Sequence, residues 1–138
     1  TGQPFSVLAG QDNSLTGVGL DRADLSGDPS RAARTDPNRD PVREWFNTKA
    51  FAHSAPGAFG NSGRNILFGD SLSSIDMSLM KDFRFYRENS IQFRAEAFNL
   101  LNHTNFNLPA NRITQGTYGR ITAAQDPRIL QFALKLRF

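Results

Sequence analysis

The chain has 138 residues, enough for one domain or for part of a larger one. Its net charge is only +3, and its basic residues, mostly arginines, are scattered along the chain, which argues against a nucleic-acid partner. Cysteine is absent, which excludes disulfides and thiolate metal sites, and no apolar run reaches the roughly 18 residues of a membrane helix.

The first half of the chain predicts one short strand and a long loop region. Residues 1–10 contain a strand candidate that begins after Pro4 and ends at Gly10. Residues 11–72 are rich in Gly, Pro, Asp, Asn, Ser and Arg, a composition typical of loops. A connection of this length is unusual in a compact soluble domain, where loops rarely exceed about 15 residues.

Residues 73–101 predict a β-hairpin. Two runs, 73–85 and 90–98, alternate between apolar and polar residues, and only a short polar turn at 87–89 separates them. The first run therefore has one apolar face that also carries Lys81, and one polar face. The apolar residues are Ile75, Met77, Leu79, Phe83 and Phe85 in the first run, and Ile91, Phe93, Ala95 and Ala97 in the second.

The last part of the chain predicts a polar loop at 102–126 and a terminal strand at 127–138. In this strand Leu130, Phe132, Leu134, Leu136 and Phe138 share one face, and polar residues dominate the other. A strand of a soluble sheet, with one face in water and the other on a core, shows the same alternation as a membrane-barrel strand. The strand alone therefore does not distinguish a soluble sheet from a membrane barrel. Short connections at one end of the strands and long ones at the other favour an outer-membrane barrel.

The sequence therefore predicts an all-β fold in one segment, residues 1–138. We expect an antiparallel meander of about four strands with long loops at one end, belonging to or derived from an outer-membrane β-barrel. The absence of a leader before Thr1 indicates either a processed chain or a piece of a longer one.

Several stretches, taken together and in order, resemble the C-terminal segment of TonB-dependent outer-membrane receptors, in particular the large Oar-like receptors. They cover more than half of the chain. The stretches are WFNTKAFA (45–52), GAFGNSGRNIL (57–67), IDMSLMKDFRF (75–85), IQFRAEAFNLLNHTNFNLP (91–109) and YGRITAAQDPRILQFALKLRF (118–138).

This resemblance implies a barrel of about 22 strands in the Gram-negative outer membrane, acting in ligand binding or uptake. It implies that 1–10, 73–85, 90–101 and 127–138 are its last four strands, with loops 11–72 and 102–126 outside the cell. The partners would be outer-membrane lipid and the remainder of the barrel, and Phe138 would match the family's assembly signal. Nothing in the chain matches the family's plug or energy-coupling segment.

Four strands cannot close a membrane barrel, since the smallest known barrels have about eight. An isolated chain would leave two sheet edges and an apolar face uncovered, so we expect it to form homo-oligomers. A self-assembling extracellular β-protein is therefore one alternative function.

A second alternative is a small serine esterase. The stretch 69–72, Gly-Asp-Ser-Leu, follows a short apolar run and resembles the nucleophile block of GDSL-type esterases. Ser71 would be the nucleophile and His103 its base. The Asp-x-x-His and Gly-x-Asn-Asp blocks of that family are absent, and so are its helices. The preferred interpretation therefore assigns no catalytic residues.

The remaining candidate sites are weak. Trp45 and Phe46 could form a ligand platform on a loop, although an aromatic anchor that packs the loop is the simpler interpretation. Arg64 and Arg120 follow glycines and could bind an anion or the carbonyls of their own loops. Loop acids such as Asp21, Asp24 and Asp28 lack calcium-loop spacing, and the two histidines lie far apart, so we expect neither a metal nor a cofactor.

Overall fold

The computed structural model of the protein describes residues 1–36, 38, 40–86 and 89–138. The predicted fold class is confirmed, because these residues form seven strands in antiparallel sheets and only two single-turn 3₁₀ helices. The chain divides into two compact units. We call Thr1–Ser71 with Phe106–Ala124 the loop unit, and Leu72–Asn105 with Gln125–Phe138 the sheet unit. In the described parts of the chain, no helix is both long and apolar enough to pass through a bilayer.

The loop unit is built on two short antiparallel strand pairs. Strand β1 (Pro4–Phe5) pairs with β4 (Leu67–Phe68), and β2 (Asp24–Leu25) pairs with β3 (Phe51–Ala52). The 3₁₀ helices span Arg31–Ala33 and Thr48–Ala50, and their N-caps Ser30 and Asn47 accept hydrogen bonds from the amides of Ala33 and Lys49. Both pairs join segments that lie far apart in the sequence, so they close the loops into a packed unit.

An aromatic cluster forms the core of the loop unit. Phe46 is only 1% exposed, and its ring contacts those of Phe5, Phe51 and Tyr118 at centroid distances of 5.7, 5.8 and 5.5 Å. Val7 and Ala23 are fully buried in the same unit. Edge-to-face aromatic contacts of this kind stabilise a fold by about 0.5–1.5 kcal/mol each beyond the area they bury.

Two glycines in the loop unit occupy positions that a side chain would disrupt. A Cβ at Gly60 would collide with the carbonyl oxygen of Arg22, so the two backbones can pack this closely only without one. Gly119 has a φ of +77°, a conformation that other residues rarely adopt, and a Cβ there would meet Thr48.

The sheet unit contains three long antiparallel strands, β5 (Met77–Tyr86), β6 (Asn89–Phe98) and β7 (Ile129–Arg137), in the order β5-β6-β7. The register is regular from Met77↔Ala97 to Arg84↔Ser90 and from Ser90↔Arg137 to Phe98↔Ile129, with one irregularity between Arg84 and Tyr86. Every second residue of each strand therefore lies on the same face as its partners in the neighbouring strands. Each face of the sheet is continuous across all three strands.

Buried asparagines hold the connections beyond β6 in place. Asn99 adopts a positive φ of 49°, and its side chain donates to the carbonyl of His103 at 2.9 Å and accepts from the His103 amide at 3.0 Å. The side chain of Asn105 accepts from the Ser73 amide and donates to the Ser73 carbonyl, at 2.8 and 2.9 Å. Asparagine is suited to these turns because it tolerates left-handed backbone and carries both a donor and an acceptor.

The structure differs from the expected segments at the N-terminus. The strand expected in 1–10 is limited to Pro4–Phe5 and pairs with β4, so the long sheet contains three strands and not four. Residues beyond Phe5 make single backbone contacts instead of a ladder, such as the bridge between Leu8 and Arg22. The region 11–72, expected to be loop, supplies most of the aromatic core.

Candidate functional site

Trp45 is an anchor of the loop unit. It is 6% exposed, its indole Nε1 donates to the carbonyl of Phe68 at 2.8 Å, and its amide donates to the carbonyl of Gly119 at 2.8 Å. The guanidinium of Arg31 lies over the indole ring, 4.2 Å from the ring centroid. Phe46, at the centre of the core, is almost fully buried. Both residues are packed as the anchor interpretation describes, and both also line a pocket.

A pocket of about 300 Å³ lies next to Trp45. Trp45, Phe46, Ile66 and Phe68 supply its apolar lining, and Arg31 is the one charged residue among the lining residues. Phe68 is 59% exposed, so the pocket opens to solvent. Sequence reasoning missed Arg31 and Phe68, because neither belongs to a motif. The available signal was Ser30, a helix-capping residue type placed directly before Arg31.

Arg64 and Arg120 are both exposed in the loop unit. Arg64 lies in a turn, and the Arg120 amide donates to the Thr117 carbonyl at 2.9 Å. Neither guanidinium has a hydrogen bond or an ion pair within the described chain, and neither lines the pocket beside Trp45. The structure therefore does not bring the two arginines into one anion site with Trp45.

Ser71 and His103 belong to different units, Ser71 to the loop unit and His103 to the sheet unit. Ser71 is exposed, and its amide donates to the carboxylate of Asp70 at 3.0 Å. The segment that follows has no helix to form a nucleophile turn. His103 Nδ1 is 3.2 Å from the amide oxygen of Asn105, which is a turn contact. Each residue therefore has a structural environment of its own.

The loop acids bond to neighbouring backbone and hydroxyl groups. Asp12 accepts from the amides of Thr16 and Gly17 at 3.1 and 2.7 Å and from the hydroxyl of Ser14 at 3.2 Å. Partial desolvation opposes ionisation, but these hydrogen bonds prevail and lower the pKa of Asp12 below its ordinary value. No group of three or more His, Asp or Glu side chains in the described residues could hold a metal ion. Asp21 accepts from Ser14, Asp24 from Asn61 and Asp28 from Ser30.

Tyr118 is the one core aromatic with an ionisable group. Its hydroxyl is buried and has no hydrogen-bond partner among the residues described. Burial raises the pKa of this phenol well above its ordinary value, since the charged form would be desolvated. Tyr118 therefore serves packing and not acid–base chemistry at neutral pH.

One face of the long sheet is apolar, and it is exposed along the two outer strands and partly buried on the central strand. The register aligns Leu79, Ala95 and Phe132 in one row across the three strands. Leu134 is 74% exposed and Phe132 is 68% exposed, although a water-soluble fold would bury such residues. Lys81 is the only charged residue on this face in the paired rows, where it aligns with Phe93 and Leu134.

The opposite face is polar and carries charges of both signs. Gln92 on the central strand is 9% exposed, and its amide donates to the Asp82 carboxylate at 2.9 Å. Arg94 and Glu96 form an ion pair at 3.7 Å, the one such pair within 4 Å in the described residues. Strands of nine or ten residues with one exposed apolar face and one charged face define the wall of a membrane β-barrel, with lipid outside and water inside.

Comparison with known families agrees with this class. A family model described as an outer membrane beta barrel domain matches residues 1–131, and the chain belongs to this family. The protein is accordingly placed in the Gram-negative outer membrane, in contact with its lipid. Searches of curated proteins and of solved structures return no match.

Proposed function

We propose that this chain is the C-terminal segment of a TonB-dependent outer-membrane receptor that binds or takes up an extracellular ligand. In this proposal β5, β6 and β7 are neighbouring strands of the barrel wall. The single observation that carries the proposal is that the apolar face of the sheet is exposed opposite a charged face, because a soluble sheet with the same alternation would bury its apolar face in a core, whereas a barrel wall turns it to lipid. The resemblance of five stretches, in order, to TonB-dependent receptors supports the more specific proposal that the barrel belongs to a receptor.

The remainder of the barrel is the proposed partner of the two outer strands. β5 and β7 each pair only with β6 in the described residues, so one edge of each strand has unpaired backbone groups. Backbone groups at membrane depth must be hydrogen-bonded, which only a closed barrel achieves for strands. Further strands that pair with β5 and β7 would satisfy these groups.

The loop unit is the proposed extracellular part. The connection between β5 and β6 is very short, whereas the connection between β6 and β7 spans about thirty residues. Outer-membrane barrels place short turns in the periplasm and long loops outside the cell. The aromatic core around Phe46 would keep such long loops folded and able to present a binding surface.

The receptor role can be tested by uptake in living cells. We expect deletion of the gene to abolish depletion of one solute class from defined medium, as measured by mass spectrometry, and complementation to restore it. An uncoupler that collapses the proton gradient should abolish the same depletion in wild-type cells, since this receptor class depends on energy coupling. Identical depletion of all solutes by wild-type and deleted cells would contradict the receptor proposal.

Self-association is a second candidate function, favoured by the same open edges and exposed apolar face. Copies of the chain could complete the sheet through β5 and β7 instead of barrel strands. Light scattering of the detergent-free chain separates the two proposals. Soluble polymers that grow with concentration would favour assembly, whereas precipitation that detergent or lipid reverses would favour a barrel segment.

A further inference from the structure

Two aromatic residues of the pocket beside Trp45 are held in place by the fold. The indole of Trp45 is held at both ends, by its Nε1 bond to Phe68 and by its backbone bond to Gly119, each 2.8 Å long. Phe46, which also lines the pocket, is packed by three aromatic rings. A pocket that is already ordered binds with a smaller loss of conformational entropy than one that forms only around its ligand.

The size and lining of the pocket restrict what it can bind. Its volume of about 300 Å³ corresponds to the lower end of small-molecule sites, so it suits a molecule of about one ring. Aromatic and aliphatic side chains make up most of its lining. A strongly hydrated anion such as inorganic phosphate would gain nothing from these surfaces, since apolar groups cannot replace its water.

Arg31 supplies the polar end of the pocket. Its guanidinium lies 4.2 Å from the centroid of the Trp45 ring, which positions the planar group without using its N–H donors. No described residue accepts a hydrogen bond from these donors or forms an ion pair with them. The nearest acid in the sequence, Asp28, already accepts from the amide and the hydroxyl of Ser30, at 2.8 and 3.1 Å.

A guanidinium that lies over an indole with its N–H donors free matches a carboxylate well, because two parallel N–H bonds reach both carboxylate oxygens. The aromatic residues Trp45 and Phe68 in the lining suit a ring-containing ligand. We propose that this pocket binds a small aromatic carboxylate, with the ring on the apolar lining and the carboxylate on Arg31. The inference rests on the proposed receptor function, for which it names the class of ligand.

Trp45 is the only tryptophan in the chain, so its fluorescence reports on the pocket directly. The folded chain in detergent would be titrated with benzoate, and calorimetry would give an independent dissociation constant. We expect saturable binding of benzoate, and binding of the neutral analogue benzamide weaker by ~tenfold, because it lacks the charge that pairs with Arg31. Octanoate, which has the carboxylate without the ring, should also bind more weakly.

Two variants of Arg31 and a matched control test whether the charge of Arg31 is responsible for benzoate binding. Arg31→Met keeps a long side chain over the indole but removes the charge, and should raise the benzoate Kd by ~tenfold. Arg31→Lys retains the charge without the planar fork and should give an intermediate Kd. Arg112→Met removes an exposed arginine of the same unit that does not line the pocket, and should leave the Kd unchanged.

Three results would overturn the inference. These are no saturable benzoate binding, equal affinities for benzoate and benzamide, or equal losses in Arg31→Met and Arg112→Met. Tighter binding of octanoate than of benzoate would overturn the aromatic class. Binding is measured on the purified chain and uptake is measured in cells, so the two tests fail independently. Absence of benzoate binding would not change the uptake result, and absence of uptake would not change the binding result.

Discussion

Lys81 gives the sharpest prediction of the barrel account, because it is a charge on a face that should contact lipid. It is the fifth of the ten residues of β5, and the neighbours it aligns with, Phe93 and Leu134, are apolar. With a rise of about 3.4 Å per residue and a tilt of about 40°, each residue adds about 2.6 Å of height. Lys81 therefore lies about 10 Å from one end of the strand and about 13 Å from the other.

This position is close to the middle of an apolar band about 25 Å tall, where a lysine on the lipid face costs about 2–4 kcal/mol. The flexible stem can carry the ammonium part of the way to the headgroups, which reduces the cost. We therefore expect Lys81→Leu to raise the free energy of unfolding in lipid vesicles by about 2 kcal/mol.

The assay is equilibrium urea unfolding of the complete barrel that contains this chain, inserted in vesicles and followed by circular dichroism of its β-structure. Lys135→Leu serves as the matched control, because Lys135 aligns with Gln92 on the polar face. Its removal should change stability by less than about 0.5 kcal/mol. The account would be refuted if Lys81→Leu were neutral or destabilising, or if Lys135→Leu gave the larger gain.

Three further predictions concern the loop unit. Phe46→Ala should lower the free energy of unfolding of the loop unit by about 3–5 kcal/mol, because removal of a fully buried ring leaves a cavity. The measurement is urea unfolding followed by tryptophan fluorescence. Tyr118→Phe should raise stability by about 1 kcal/mol, because it removes a buried hydroxyl that has no partner. The raised pKa of Tyr118 favours the neutral phenol, so stability should decline above about pH 10 in wild type and less in Tyr118→Phe. The lowered pKa of Asp12 favours its carboxylate, so amide protection at residues 16–17 should be lost as pH falls below 3.8, with no such step in Asp12→Asn.

Phe59→Ala removes a ring that is 70% exposed and should be nearly neutral; equal losses at Phe46 and Phe59 would contradict the core assignment. A destabilised Tyr118→Phe would mean that the hydroxyl has a partner. Protection factors of the amides at residues 16–17 that stay constant as the pH falls below 3.8 in wild type would contradict the Asp12 interpretation.

The sheet could be predicted from sequence because its signal is local. Alternation with a period of two is visible in 75–85 and 127–138 without knowledge of any partner, and it led to the confirmed all-β class. The apolar face includes Lys81, and the polar face includes Met80, Phe98 and Ile129, so neither face is uniform. The alternation still dominates, because the remaining residues repeat it on three aligned strands.

The loop unit could not be predicted in the same way, because its contacts are distant in sequence. The Asn111 side chain donates to the Ser6 carbonyl across 105 residues, and the Asn65 amide donates to the Ser6 hydroxyl across 59. Composition alone makes such a segment resemble disorder, since Gly, Pro, Asp and Ser dominate it. Its few aromatic residues nevertheless converge on Phe46, which sequence order does not reveal.

The environments of the candidate site residues also could not be predicted from the sequence. Trp45 could be singled out as the only tryptophan, but its bond to Phe68 and its contact with Arg31 depend on the tertiary fold. The Gly-Asp-Ser-Leu stretch looked like a motif, and in the structure Ser71 lies in a segment without the helix that such a nucleophile requires. Short motifs depend on structural context, and that context is set outside the motif.

The central claim is that one face of the β5–β7 sheet contacts lipid and the other contacts water. The 138 residues contain no cysteine, so within them a fluorophore can be attached to one introduced cysteine at Ala133 or at Leu134, adjacent residues on opposite faces of β7. In barrels reconstituted with brominated lipid, the account predicts strong quenching of the fluorophore at Leu134→Cys and little at Ala133→Cys. Equal quenching at both positions, or the reverse order, would contradict it.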